Sequence, residues 1–302
     1  MITRLEELLP LAKQKPVYKL SVACPYDAHT LSAVYLAQKE GLIKPVFVGC
    51  ENKIKSAVNQ FVTDMADYDI LNIADDETAV FEAVKLVSTG NADMLMKGLI
   101  SSEKYLKAIL NRHNGLLNNS AQITHVTVLQ NSRLQKLVIF GDSAIIPNPD
   151  LKQKLVILNA LESMANVLGI SKPKVAIIAA TELISNAIEA GVDAAIISKM
   201  SDRGQLACIA DGPMSIDIAI DPETAKIKGI NGPIKGDADC LLFPNIEAGN
   251  AFYKSATKLG GSEIAGCLSG TKSPVVMTSR ADSTLSKYYS ILIAMVTYVP
   301  KH

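Results

Sequence analysis

Short apolar runs alternate with longer amphipathic stretches along almost the whole chain, and this alternation constrains the fold more than any other feature. YKLSVA (18–23) precedes a helical pattern over 29–40, and PVFVG (45–49) precedes one over 52–61. DILNI and DMLMK repeat the unit, each with a helical stretch behind it. LKQKLVILNALESMANVLG (151–169) reads as one long amphipathic helix. KVAIIAA, DAAIIS, QLACIAD, DCLLFP and SPVVM then supply further expected strands. Near-continuous apolar strands separated by helices predict α/β architecture, with mainly parallel sheets covered on both faces.

One segment breaks the alternation. ITHVTVL (123–129) and LQKLVIF (134–140) are two strand-like runs with only a short polar link, which predicts an antiparallel hairpin. A hairpin within a βα series suggests a passage between two sheets, so a domain change is expected near residue 135. The connection GDSAIIPNPD, rich in proline and polar residues, leads into the second half. The expected domains are 1–135 with 276–302, and 136–275.

The charge balance narrows the function classes. The chain of 302 residues carries 30 Lys+Arg against 30 Asp+Glu, so no global basic field points to nucleic acid or an anionic membrane. An anionic ligand must be held by a local cluster. MITRLEELLPLAKQ carries Glu6 and Glu7 and no long apolar run, so no secretory signal is expected. The longest apolar run, ILIAMVTYV, is far below membrane-spanning length. Five scattered cysteines, never in CxxC spacing, read as reduced thiols of a cytoplasmic protein. The four histidines are far apart, and no zinc site or other metal is expected.

The familiar phosphate loops are absent: no GxGxxG follows a strand, and there is no GxxxxGK[ST]. Gly260-Gly261 stands where a helix should end and reads as a C-cap. Asp217 and Asp221 are four apart and would share a helix face, either holding Mg²⁺ or simply opening a helix. Several expected strand ends carry cations, hydroxyls or amides: Lys97 and Ser101 after DMLM; Lys199, Asp202 and Arg203 after DAAIIS; Asp211 in a turn before Pro213; Asn245 after DCLLFP. The last such end is Thr278-Ser279-Arg280-Ala281-Asp282-Ser283 after SPVVM. Asp282 or Ser283 can cap the helix expected over 284–299. The ends of strands in an open α/β sheet are also where ligands bind.

ADMLMKGLISSEKYLKAIL, SKMSDRGQLACIADGPMSIDIAI, ADCLLFPNIEAGNAFYKS and SPVVMTSRADS, taken in order, resemble the successive motifs of the phosphate acetyl/butyryltransferase family. The resemblance runs from VACPYDAHTLSAV to the last helix, and the SKMSDRGQ block resembles the butyryl-type branch. It implies two α/β domains in an isocitrate/isopropylmalate dehydrogenase-like fold, with the active site in the cleft between them. It implies a homodimer or larger homo-oligomer that interconverts acyl-CoA plus phosphate with acyl phosphate plus CoA. CoA is then a substrate, and no cofactor is required.

By the same resemblance Ser279, Arg280 and Asp282 are the catalytic candidates. Lys97, Ser101, Lys199, Arg203, Asp211, Asn245 and Asn250 are the candidates for binding phosphate and CoA. The chain departs from the family at Lys107, commonly arginine, and in the Asn- and Ser-rich stretch 115–125. Some acetyl-type members carry a catalytic aspartate a few residues beyond the Ser-Arg pair, and Ser286 stands in that place here. Two rival readings remain at this level: a non-catalytic acyl-CoA-sensing domain, and a metal-dependent NAD(P) hydroxyacid dehydrogenase of the same fold.

Overall fold

The computed structural model describes residues 1–118 and 122–298. Part of the Asn-rich stretch (119–121) and the end of the last predicted helix (Val299) lie outside the described residues. In chain order the first elements are α1 (Leu8–Ala12), β1 (Tyr18–Ala23), α2 (Ala28–Lys39), β2 (Ile43–Gly49), α3 (Glu51–Phe61), β3 (Asp69–Asn72), α4 (Asp76–Ser88), β4 (Met94–Lys97) and α5 (Ser102–Ile109). The hairpin strands β5 (Thr124–Gln130) and β6 (Val138–Gly141) follow, then α6 (Leu151–Val167), β7 (Lys174–Ile178), α7 (Glu189–Asp202) and β8 (Ile209–Met214). The rest comprises α8 (Ile216–Ile220), α9 (Pro222–Ile227), β9 (Cys240–Leu242), α10 (Ile246–Lys258), β10 (Glu263–Ser269), β11 (Val275–Val276) and α11 (Thr284–Thr297).

These elements form two compact units, Leu5–Ile123 with Glu263–His302, and Met1–Arg4 with Thr124–Ser262. The chain thus changes unit before the hairpin, at 123/124, and again at 262/263, where the sequence suggested residue 135 and 275/276. The hairpin strands pair with each other over Thr127↔Phe140 to Leu129↔Val138, so both stay on one side of the change. β10, a strand not expected from the sequence, pairs antiparallel with β11 and belongs with it.

The first unit has strand order β3-β2-β1-β4-β11-β10. All but β10 run parallel. The register pairs Ala23 with Lys97 and Met96 with Val276, so β1, β4 and β11 end level. These strands bury nearly every position, as both-face coverage requires. Asp27, Asp75, Ser101 and Ser283 each accept a backbone N–H at the N-terminus of the helix they open. Ser283, not Asp282, is therefore the cap of the last helix.

The second unit has strand order β5-β6-β9-β7-β8, parallel from β6 onward. DAAIIS is not a strand here but the middle of α7. β7 and β8 are adjacent and parallel, and such a pair needs a crossover helix, which α7 supplies. Its buried positions Gly191, Ala194 and Ile197 recur every three residues, and Asp193 is paired with buried Lys154 on α6. Among the described residues no helix is long and apolar enough to cross a membrane.

Candidate active site

The level ends of β1, β4 and β11 launch three loops from one edge of the first sheet. β1 runs into Cys24 in a left-handed backbone conformation and on to Asp27. β4 ends in Lys97-Gly98, pressed against the β1 end so closely that a Cβ on Gly98 would stand 2.6 Å from the carbonyl oxygen of Ala23. β11 runs through Met277 and Thr278 to Ser279, Arg280 and Asp282. His29 in the first turn of α2 reaches Thr284, the first residue of α11, at 3.0 Å.

This convergence assembles a charge cluster from distant parts of the chain. Lys97 is only 1% exposed, and its Nζ donates to the carbonyls of Ile100 at 3.0 Å and Gly98 at 3.4 Å. Burial, with Lys287 and Arg280 nearby, pushes its ammonium down to about 8, and Asp27 and Asp282 oppose the shift. Lys287, on α11, is fully buried, and burial likewise lowers its ammonium against the pull of Asp27 and Asp282. Its Nζ donates to the carbonyl oxygen of Ser279 at 3.2 Å. Three cations, Lys97, Lys287 and Arg280, thus share an electrostatic neighbourhood with two carboxylates, Asp27 and Asp282. The excess positive charge suits an anion.

The sequence-predicted catalytic residues are all here. Asp282 is buried and accepts the Ser279 backbone N–H at 2.6 Å. Arg280 is exposed, and its guanidinium has no hydrogen bond or ion pair among the described residues. The buried hydroxyl of Thr278 has no hydrogen-bond partner there either. Ser101 is the cap of α5, accepting the Lys104 N–H at 3.3 Å. Ser286 donates to Glu263 at 2.5 Å and accepts the Ile264 N–H, while Ser283 donates to the same carboxylate at 2.6 Å. The place of the acetyl-type aspartate therefore holds a hydroxyl that ties β10 to α11. Lys107 makes a surface ion pair with Glu77 at 2.8 Å.

The sequence reading missed Lys287 and Asp27. Lys287 sits in the first turn of an expected helix, where lysine normally marks a solvated face, and Asp27 stands in the short link before α2, which it caps. Their one sequence signal was a charge within an otherwise apolar setting.

The remaining candidates lie in the second unit. Lys199 and Arg203 stand at the end of α7 rather than after a strand, because DAAIIS is helical. Lys199 pairs with Asp202 at 3.1 Å in solvent, and the Arg203 side chain is exposed. Asp211 lies within β8, not in a turn beyond it. Its Oδ1 accepts the Gly212 N–H at 2.9 Å, and burial raises its carboxyl. Asn245 caps α10 by accepting the Ala248 N–H at 2.9 Å. Asn250 donates to the carbonyl oxygen of Ser143 at 3.0 Å, beside Asp142, which accepts three successive backbone N–H groups from Ala144 to Ile146. Asp217 and Asp221 do not form a metal pair: Asp217 is bound to Lys228 at 2.9 Å, and Asp221 caps α9. Among the described residues no group of three or more His, Cys, Asp or Glu is placed to hold a metal ion.

Comparison with known proteins places the chain in a family. Residues 75–295 match the family described as Phosphate acetyl/butaryl transferase. The chain is 41% identical to a phosphate butyryltransferase of Clostridium acetobutylicum over 97% of its own length and 98% of that protein. It is 37% identical to a phosphate acetyltransferase of Thermotoga maritima, over 97% and 99% of the two chains. Among solved structures, a branched-chain phosphotransacylase from Enterococcus faecalis V583 superposes with a TM-score of 0.80 at 30% identity, covering 93% of this chain and 99% of the other.

Proposed function

The chain belongs to the phosphate acetyl/butyryltransferase family, and from that premise we propose how its own residues carry the reaction. It is a phosphate acyltransferase: it interconverts acyl-CoA plus phosphate with acyl phosphate plus CoA. The observation that carries the assignment of residues is the cationic cluster of Lys97, Lys287 and Arg280 at the level ends of β1, β4 and β11.

In the direction of acyl-CoA synthesis, the CoA sulfur forms a bond to the acyl carbonyl carbon, and the bond from that carbon to the phosphoryl oxygen then breaks. Arg280 offers the phosphoryl group a planar fork of donors not engaged elsewhere among the described residues. Lys97 supplies positive potential from beneath the same edge. The Ser279 hydroxyl donates to the carbonyl oxygen as it becomes an oxyanion. The thiol proton ends on the released hydrogenphosphate, so no protein base has to retain it. For Asp282 we favour a holding role over that of proton acceptor, because it already accepts the Ser279 N–H in a buried position. Phosphorus is not attacked, and the cluster carries the charge, so the reaction on this reading needs neither metal nor cofactor.

Lys199 and Arg203 are our candidate contacts for the phosphates of CoA, with Asn245 at the α10 N-terminus and Asn250 further along the same helix. Ser101 presents the α5 N-terminus to the phosphate group, and Asp211 orders the loop containing Gly232 and Ile234. The acyl group is short, butyryl or branched. The isocitrate/isopropylmalate dehydrogenase-like arrangement, homo-oligomeric assembly and cytoplasmic location belong to the same reading. The direct test is to incubate butyryl-CoA with phosphate and follow free thiol. Phosphate-dependent thiol release is expected. No release from any acyl-CoA of two to five carbons would overturn the assignment.

A further inference from the structure

We propose that Lys287 is a positioning residue for acyl transfer: together with Asp282 it grips both ends of the Ser279 backbone and so sets where the Ser279 hydroxyl and the Arg280 guanidinium stand. This rests on the reading of Ser279-Arg280 as the reactive turn.

The grip is visible atom by atom. The Ser279 N–H donates to Asp282 Oδ2 at 2.6 Å. The Ser279 carbonyl oxygen accepts from the Asp282 N–H at 3.2 Å and from Lys287 Nζ at 3.2 Å. Asp282 and Lys287 are almost completely buried, whereas Ser279 is half-buried and Arg280 exposed. A short segment that must face ligand is thus held from below by groups that do not reach the surface.

The base of the grip is itself fixed. Ser283 caps α11 and donates to Glu263, and Ser286 donates to the same carboxylate. Lys287 follows immediately, its own N–H donating to the Ser283 carbonyl. The direction of its side chain is therefore set by a helix start anchored to β10.

Packing alone does not account for a lysine here. A buried ammonium has a large desolvation cost, and leucine or methionine would fill the space without it. The groups facing it are Asp27 before α2, Asp282 in the loop before α11, and Lys97 at the end of β4. What the charge adds is a bond to the Ser279 carbonyl and compensation for Asp282. Both act on one turn, and positioning errors well below an ångström matter at a reacting centre.

The test is a double-mutant cycle on the full chain with butyryl-CoA and phosphate, using Lys287→Met, Arg280→Ala and the double variant. Lys287→Met is expected to lower kcat at least tenfold with the KM for butyryl-CoA within about threefold of wild type. In the Arg280→Ala background the same change should cost less than threefold, because the turn it positions has already lost its main donor. A general structural defect would multiply with Arg280→Ala instead, and that result overturns the proposal. So does wild-type kcat in Lys287→Met. If the methionine variant does not fold, Lys287→Gln, one atom too short for the same contact, is read in the same way. Normal turnover of Arg280→Ala would instead sink the active-site reading itself.

Discussion

The carboxylate of Asp282 accepts the backbone N–H of Ser279 across a gap of 2.6 Å, closing the loop that presents Arg280 to solvent. The loop's shape depends on the buried partner and not on the guanidinium. Removing Arg280 should therefore leave the fold intact. A charge-assisted contact is worth about 1.5–3 kcal/mol. Arg280→Ala is expected to lose more than tenfold in kcat/KM for phosphate with an unchanged unfolding midpoint. Arg280→Lys should lose less, since it keeps charge but not the fork. Steady-state kinetics beside thermal melts decide the matter, and normal turnover of the alanine variant would remove Arg280 from the site.

Lys97 predicts a pH dependence. Its ammonium, pushed down to about 8 by burial and its cationic neighbours, loses its proton as pH rises through that value. Phosphate binding should then weaken, with KM for phosphate flat below pH 8 and rising above it. Stability moves the other way. The unfolded lysine titrates near its ordinary value of ~10.4, so between about 8 and ~10.4 the unfolded chain binds more protons, and stability rises with pH across that window. Lys97→Met should abolish the rise in KM. A KM for phosphate that stays level from pH 7 to 9.5 in the wild type would count against this role.

Thr278 separates ligand binding from stability. Its buried hydroxyl has no partner among the described residues, and an unpaired buried hydroxyl carries a desolvation cost of about 1–3 kcal/mol. Thr278→Val keeps the shape and removes the oxygen. The unfolding midpoint should rise or hold, while the KM for phosphate or acyl phosphate increases at least threefold. Higher stability with unaltered kinetics would show that no ligand uses the hydroxyl.

The cysteines should be dispensable. Burial pushes Cys24 and Cys267 up to about 12 and Cys208 to about 11, and raises Cys240 well above the ordinary thiol range. Thiols so shifted supply almost no thiolate near neutrality. Replacing each of the five by serine or alanine should leave kcat within a few-fold. Initial-rate lines should intersect as in a ternary-complex mechanism, and EDTA should not alter rates. Parallel lines, or one cysteine whose loss abolishes turnover, would point to an acyl-enzyme instead.

Acyl-chain preference is testable in the same assay. Each buried methylene is worth roughly 0.8 kcal/mol, so the two that distinguish butyryl from acetyl give about 1.6 kcal/mol, on the order of tenfold in kcat/KM. Values for acetyl-, propionyl-, butyryl- and isovaleryl-CoA at one phosphate concentration should rise toward four or five carbons. A maximum at acetyl-CoA would move the chain to the acetyl branch despite its SKMSDRGQ block.

Local pattern determined much of this protein in advance. The βα alternation, the 124–141 hairpin, the caps at Asn245 and Ser283, and the Ser279-Arg280 turn all follow from interactions among residues close in sequence. DAAIIS was misread because a short apolar run has no decisive period; the parallel pairing of β7 with β8 made it the crossover helix. β10 escaped notice because EIAGCLS is rich in small residues of weak strand preference. Only the tertiary structure decided that Asp27, Lys97, Asp282 and Lys287 share one neighbourhood. Their proximity depends on the level register of β1, β4 and β11, which side-by-side strand pairing imposes and no local propensity records. The packing of α11 against β10 likewise put Ser286 on Glu263, so the hydroxyl that stands in the place of an expected acid serves as an anchor, a contact between residues 23 apart that no local pattern records.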